Sequence, residues 1–187
     1  MPGFRVLFVC VGNVCRSPLG ERLLAQRLSG HDVEVASAGV AAMVGSPMSP
    51  EAAAQLEAYG GSADGFAARQ LTAAMLREAD LVLTATRELR SRVLSEVPSA
   101  LRRTFTVLEF AALLDEVDPA PPAELVAEAA SARSLLGPAE LDVPDPFRRG
   151  EEAHARAAAL MAPAVDRIAV ALAGSAAPSR TQPGGPG

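Results

Sequence analysis

The stretch that most constrains this chain is residues 6–18. An apolar run, Val6-Leu7-Phe8-Val9, stops at Cys10; a loop, Val11-Gly12-Asn13-Val14-Cys15, follows; Arg16-Ser17-Pro18 then opens a helix. A strand ending on a thiol, a small-residue loop and a helix N-terminus together describe an anion site. N–H groups of the loop and first helical turn converge on one place, and the helix dipole favours negative charge there. A thiol facing that place is drawn toward thiolate. Arg16 adds a planar fork for two oxygens of a phosphate. Taken singly, Cys10 would be an ordinary buried strand-end cysteine and Ser17-Pro18 an ordinary helix start. The specificity lies in the whole string from Cys10 to Pro18.

Further along, strand and helix patterns alternate. Residues 5–9 read as a strand buried on both faces. Residues 17–28 read as a helix with Leu19, Leu23, Leu24 and Leu28 on one face. Residues 33–36 are a second strand. A loop broken by Gly45, Pro47 and Pro50 leads to a helix capped by Ser49 and stopped at Gly60-Gly61. Thr72 caps a short helix, residues 80–84 and 104–108 are the third and fourth strands, and a helix over 86–97 lies between them. Residues 115–142 change in composition: three prolines precede an alanine- and acid-rich helix over 123–136, an insertion whose negative face is solvated. Residues 142–150 form a stiff loop carrying Asp142 and Asp145. The last helix, 151–172, contains Pro163, which is expected to kink or split it. Residues 174–187, rich in Ser, Pro and Gly, read as a disordered tail. His31 and His154 fall outside every motif and read as surface residues.

This alternation predicts one domain over residues 1–173 with an open α/β fold: four parallel strands, helices on both faces, flavodoxin- or Rossmann-like. Ligands of such sheets bind beyond the carboxyl ends of the strands, and the loop after Cys10 lies there. Composition narrows the chemistry. Seventeen basic against 22 acidic residues give a net charge of −5, which argues against a nucleic-acid partner. The chain has no lysine, which excludes a Walker-type phosphate loop and Schiff-base catalysis. Two cysteines are too few for a disulfide framework and fit a reducing compartment. The N-terminal apolar run is too short for a signal peptide and no segment is expected to span a membrane. A cytoplasmic location is expected.

The string Cys10-Val11-Gly12-Asn13-Val14-Cys15-Arg16-Ser17-Pro18 resembles the active-site loop of the low-molecular-weight protein tyrosine phosphatases. The resemblance extends from about residue 5 to residue 172, around the insertion. Ser37-Ala38-Gly39 is similar to the family's second-strand motif and Ala68-Arg69-Gln70-Leu71 to its Ala-Arg-Gln motif. Ala79-Asp80-Leu81-Val82-Leu83 is similar to its third strand, and Asp145-Pro146-Phe147 to its Asp-Pro-aromatic motif. Ser37 through Pro50 is closer to the bacterial branch linked to exopolysaccharide tyrosine kinases than to animal enzymes. Two positions depart: Phe66 stands where the family often has a histidine supporting the loop asparagine, and Thr84-Ala85-Thr86 lacks a common methionine.

The resemblance implies hydrolysis of phosphotyrosine and aryl phosphates through a cysteinyl-phosphate intermediate, with no metal or cofactor. Cys10 would be the nucleophile. Arg16 and the N–H groups of Val11, Gly12, Asn13, Val14 and Cys15 would hold the equatorial oxygens. Ser17 would hydrogen-bond the Cys10 sulfur, and Asn13 would hold the loop in a strained backbone. Asp145 would be general acid and then base, with Asp142 as second candidate. Phe147 would wall a slot for an aromatic ring, with Met43 and Val11 as further candidates. Implied partners are phosphotyrosine proteins, a bacterial tyrosine kinase or its substrates among them, with inorganic phosphate as product. Cys15 matches a second family cysteine able to pair with the nucleophile on oxidation.

Two other readings stand beside this one. A thiol-linked arsenate reductase uses the same fold and a very similar loop, but its thioredoxin-coupled branch needs further cysteines downstream, and none follows Cys15. A non-catalytic phosphate-binding module would be expected to lose Cys10 or Asp145, and both are present.

Overall fold

The computed structural model describes residues 3–137 and 139–174. Its centre is a parallel sheet. Strand β1 (Phe4–Cys10) pairs with β2 (Val33–Gly39) from Phe4 opposite Val33 to Cys10 opposite Gly39. On its other side β1 pairs with β3 (Leu81–Thr84), and β4 (Thr104–Thr106) lies outside β3, giving the order β2-β1-β3-β4. The chain leaves β1 for one neighbour and returns to the other, so strand order reverses at the carboxyl end of β1. Cys10 stands at that crevice.

Alternation along β1 sets the two layers. Val6 and Phe8 face α1 (Arg16–Arg27), α2 (Pro50–Ala58), α5 (Val107–Leu113) and α7 (Gly150–Gly174). Leu7 and Val9 face α3 (Ala73–Glu78) and α4 (Arg87–Glu96). Fourfold parallel order with both faces covered is the predicted architecture. Strand β2 runs three residues further than its apolar stretch, because Ser37, Ala38 and Gly39 continue the ladder with Phe8, Val9 and Cys10.

Three expectations need correction. Strand β4 ends at Thr106, not residue 108: Thr106 accepts from Glu109 N–H while the Glu109 carboxylate accepts from Thr106 N–H, and this capping box starts α5 at once. The last helix is not split; α7 runs 25 residues through Pro163. Its stripe of Ala157, Met161, Val165, Ile168 and Leu172 is buried in the core, which offsets the lost hydrogen bond. By length and composition α7 is also apolar enough to cross a membrane, against expectation; here that stripe packs on α1, α2 and α5. Residues 175–187 of the expected tail lie outside the described residues.

The insertion forms α6 (Pro122–Ser131) and a 3-10 turn, Ala132–Leu135. Helix α6 buries Leu125, Val126 and Ala129. Arg133 lies over the Phe105 ring at 4.2 Å and 3.3 Å from Glu109, which also takes both bonds of Arg90 at 2.7 Å. Burial lowers the Arg133 pKa, and the buried Glu109 carboxylate works against that. A partnered carboxylate thus ties insertion and core together.

Helix α1 reaches β1 closely because Gly20 has no side chain: a Cβ there would sit 2.5 Å from the buried Phe8 ring. Gly20→Ala is expected to destabilise the protein by about 1–3 kcal/mol through overpacking, despite alanine's better helix propensity. Denaturant or thermal melting against wild type measures it.

Candidate active site

The loop from Cys10 to Arg16 is shaped from its own sequence and from two distant segments. Asn13 takes φ of 54°, the left-handed region that asparagine tolerates. Its buried amide holds the turn: Oδ1 accepts from Arg69 N–H at 2.7 Å, and Nδ2 donates to Ser17 Oγ and Ser37 Oγ, each at 2.8 Å. Ser37 Oγ in turn donates a hydrogen bond to Glu21, which Arg22 and Arg69 flank at 3.6 Å. The strained backbone expected of Asn13 is present. Phe66 takes no part in holding it and stacks instead under Arg22 at 5.5 Å.

Loop carbonyls point outward. Those of Cys10, Val11, Gly12 and Val14 accept from Val40, Ala41, Met43 and Ser49 at 2.8–3.1 Å. Among the described residues, the N–H groups of Val11 through Cys15 meet no protein acceptor. Tying carbonyls out and leaving N–H groups in produces a concave ring of donors.

Around that ring the side chains converge on a cavity of about 130 Å³, lined by Cys10, Val11, Gly12, Val14, Cys15, Arg16, Ala41, Met43, Asp145 and Phe147. Ser17 Oγ accepts from Asn13, and its one proton has two acceptors in reach, the Cys10 sulfur at 2.9 Å and, further off, Ala38 O at 3.5 Å. Arg16 is buried, its side chain 4% exposed. Its Nη1 donates to Val143 O at 2.9 Å and its Nη2 lies 3.2 Å from Asp145 Oδ1. Its buried Nε has no acceptor among the described residues, a deficit that a bound oxyanion would remove.

The two carboxylates of the 142–150 loop separate clearly. Asp142 accepts from Arg87 N–H at 2.7 Å and pairs with the Arg87 guanidinium, at the start of α4 and off the cavity. Asp145 lines the cavity, half-exposed, with Phe147 N–H on its Oδ1 at 3.3 Å. Upstream the loop is pinned by Val143 N–H to Ala85 O at 2.8 Å and Thr106 Oγ1 to Leu141 O at 2.7 Å. Phe147, Met43 and Val11 form an apolar flank, Met43 and Val11 with about two fifths of their surface exposed.

Sequence reasoning missed His154. It is 3% exposed, not on the surface. Its Nδ1 bonds Gly150 O at 3.0 Å, while Nε2 meets Ser49 Oγ at 3.3 Å and Cys15 Sγ at 3.6 Å. It therefore joins the first turn of α7, just past the Asp145 loop, to the cap of α2 and to the base of the Cys10 loop. A signal existed: His154 falls at helical spacing with Ala157, Ala158 and Met161 on the buried stripe.

The two thiols are unbonded. Burial pushes the Cys15 thiol up to about 11, the bond with Ser49 opposing it. Cys15 thus keeps its proton at neutral pH, well below that value, and is expected to resist iodoacetamide in the native protein at pH 7.5; fragment-ion mapping of the modified peptide checks this. A Cβ on Gly39 would meet Val11 O at 2.4 Å and Asn13 N at 2.9 Å, both backbone. Gly39→Ala is expected to weaken binding of inorganic phosphate at least about tenfold, about 1.4 kcal/mol, by calorimetry.

Residues 5–125 match the family described as low molecular weight phosphotyrosine protein phosphatase. The curated low molecular weight protein-tyrosine-phosphatase Etp of Escherichia coli (strain K12) is 44% identical over 99 residues, 53% of this chain and 66% of Etp. Wzb of Salmonella typhi is 48% identical over 80 residues, 43% of this chain and 52% of Wzb. The matched stretch thus spans just under two thirds of one curated relative and about half of the other. Over nearly the whole length, the tyrosine phosphatase Wzb from Escherichia coli K30 in complex with sulphate superposes with a TM-score of 0.68 at 28% identity, covering 88% of this chain and 95% of that one. The YwlE arginine phosphatase from Geobacillus stearothermophilus does so with 0.71 at 31%, covering 91% and 94%. Sequence match, shared fold and the loop geometry agree, and the chain belongs to the low molecular weight phosphotyrosine protein phosphatase family.

Proposed function

We propose that this protein hydrolyses phosphotyrosine and aryl phosphates. The observation that carries the reading is the ring of unaccepted loop N–H groups and the orphaned Arg16 Nε beside a sulfur that Ser17 can bond. A phosphate dianion supplies the acceptors this ring lacks.

In the first step the Cys10 thiolate attacks phosphorus, the S–P bond forms and the bond to the phenol oxygen breaks. Asp145, as the acid, gives its proton to the departing phenolate. In the second, the Asp145 carboxylate takes a proton from water, the oxygen attacks phosphorus, and the S–P bond breaks to release inorganic phosphate. Ser17 stabilises the departing thiolate, and Arg16 and the loop N–H groups follow the equatorial oxygens through both transition states. Arg16, whose Nη2 rests against Asp145 in the free protein, turns its fork to the dianion when substrate binds.

The apolar flank of Phe147, Met43 and Val11 favours a flat, neutral leaving group. Among the described residues Asp145 is the single carboxylate lining the cavity, which gives a guanidinium leaving group little to pair with. Phosphotyrosine is therefore preferred to the phosphoarginine that the YwlE neighbour suggests. Arsenate reduction through a thiol relay is not favoured, since no cysteine follows Cys15. The physiological substrates in this reading are phosphotyrosine proteins, including a bacterial tyrosine kinase or its targets. A thiol nucleophile suits a reducing compartment such as the cytoplasm, and residues 1–173 act as one domain.

The test compares p-nitrophenyl phosphate, a phosphotyrosine peptide and a phosphoarginine peptide. Cys10→Ser is expected to lose nearly all turnover and Asp145→Asn to fall about 100-fold or more in kcat. Turnover retained in Cys10→Ser, or phosphoarginine hydrolysed in preference to phosphotyrosine, would overturn the reading.

A further inference from the structure

Just past the aromatic flank of the cavity the chain turns through Arg148 and Arg149. Arg148 takes φ of 58°, a conformation that glycine adopts freely and arginine at a cost. Arg149 N–H closes the turn on Pro146 O at 3.0 Å. What the strained turn achieves is placement: the Arg148 guanidinium lies 5.1 Å from the centroid of Phe147, whose ring borders the cavity. Both arginines are exposed, and among the described residues neither has a carboxylate within ion-pair distance.

Six of the sixteen described arginines lack an ion pair, and Arg148 and Arg149 are the two that directly follow Phe147. Arg92 of α4 is another of the six; it reaches Val40 O at 3.4 Å, beside Ala41 on the cavity wall, and meets no carboxylate among the described residues. Of the acids on the neighbouring segments, Asp145 pairs with Arg16, Asp142 and Glu140 share Arg87, and Glu152 pairs with Arg156. Arg148 and Arg149, which directly follow the cavity-lining Phe147, are thus two exposed cations with no ion-pair partner among the described residues, in a protein of net charge −5.

We infer that this arginine rim selects phosphotyrosine sites that carry aspartate or glutamate within a few residues of the tyrosine. The inference rests on the phosphotyrosine reading above. A phosphotyrosine ring seated beside Phe147 leaves its own backbone at the mouth, where Arg148 and Arg149 reach its neighbours. Acidic neighbours gain steering and contact; basic ones are repelled. Because the rim is exposed, each charge contributes modestly and is screened by salt.

The experiment uses the full chain and three phosphotyrosine peptides of equal length with acidic, neutral and basic flanks, beside p-nitrophenyl phosphate, which has no flanks. At low ionic strength kcat/KM is expected to fall in that order, acidic exceeding neutral by about fivefold, the gap closing near about 0.5 M salt. Arg148→Gly, which a φ of 58° accepts without strain, is expected to shrink the acidic-to-neutral ratio, and Arg148→Glu to shrink it further. If p-nitrophenyl phosphate is hydrolysed but the three peptides are turned over alike, or the order survives both substitutions, the rim does not select and the phosphatase reading stands. If p-nitrophenyl phosphate is not hydrolysed either, the phosphatase reading fails and carries the inference with it.

Discussion

The buried amide of Asn13 is the contact on which the rest of the site depends. One side chain accepts from the Arg69 backbone, donates to Ser37 on β2 and donates to Ser17 on α1. Those bonds compensate a left-handed residue that would otherwise relax. They also shape the surroundings of Cys10: Ser17 Oγ, accepting from Asn13, lies 2.9 Å from the Cys10 sulfur, closer than its other acceptor, Ala38 O, at 3.5 Å. Backbone shape and sulfur environment therefore follow from one residue. Gly39 completes the arrangement by letting β2 pass against the loop backbone.

Much of this was legible because the signal is local. The apolar run, the loop and the Ser-Pro helix start lie within thirteen consecutive residues, and each shapes its own neighbourhood. The sheet was equally readable, since β1 is apolar at every position from Val6 to Val9 and buried on both sides. The choice of Asp145 over Asp142 came from the residues after it; in the structure Asp145 lines the cavity and Asp142 pairs with Arg87.

What was misread depended on distance or on competition between local rules. His154 meets Ser49 across 105 residues and Cys15 across 139, partners that no short window contains; its place on the α7 stripe was the available hint. At Thr106 the apolar pair Val107-Leu108 suggested a longer strand, yet Thr106 and Glu109 also form a capping pattern, and two satisfied backbone N–H groups outweighed two more strand residues. Pro163 was expected to break α7, but a proline removes one hydrogen bond while the buried stripe on either side of it holds the helix to three others.

The fastening of residues 141–143 has a mechanical consequence. Leu141 is held by Thr106, Asp142 by Arg87, and Val143 by both Ala85 and Arg16. These anchors lie on β4, α1 and α4 and at Ala85, just past the end of β3. The chain between α6 and Asp145 is thus clamped before it arrives at the cavity. Displacement of the insertion is absorbed at the clamp, so this segment could lengthen, shorten or be decorated while the carboxylate three residues on keeps its address.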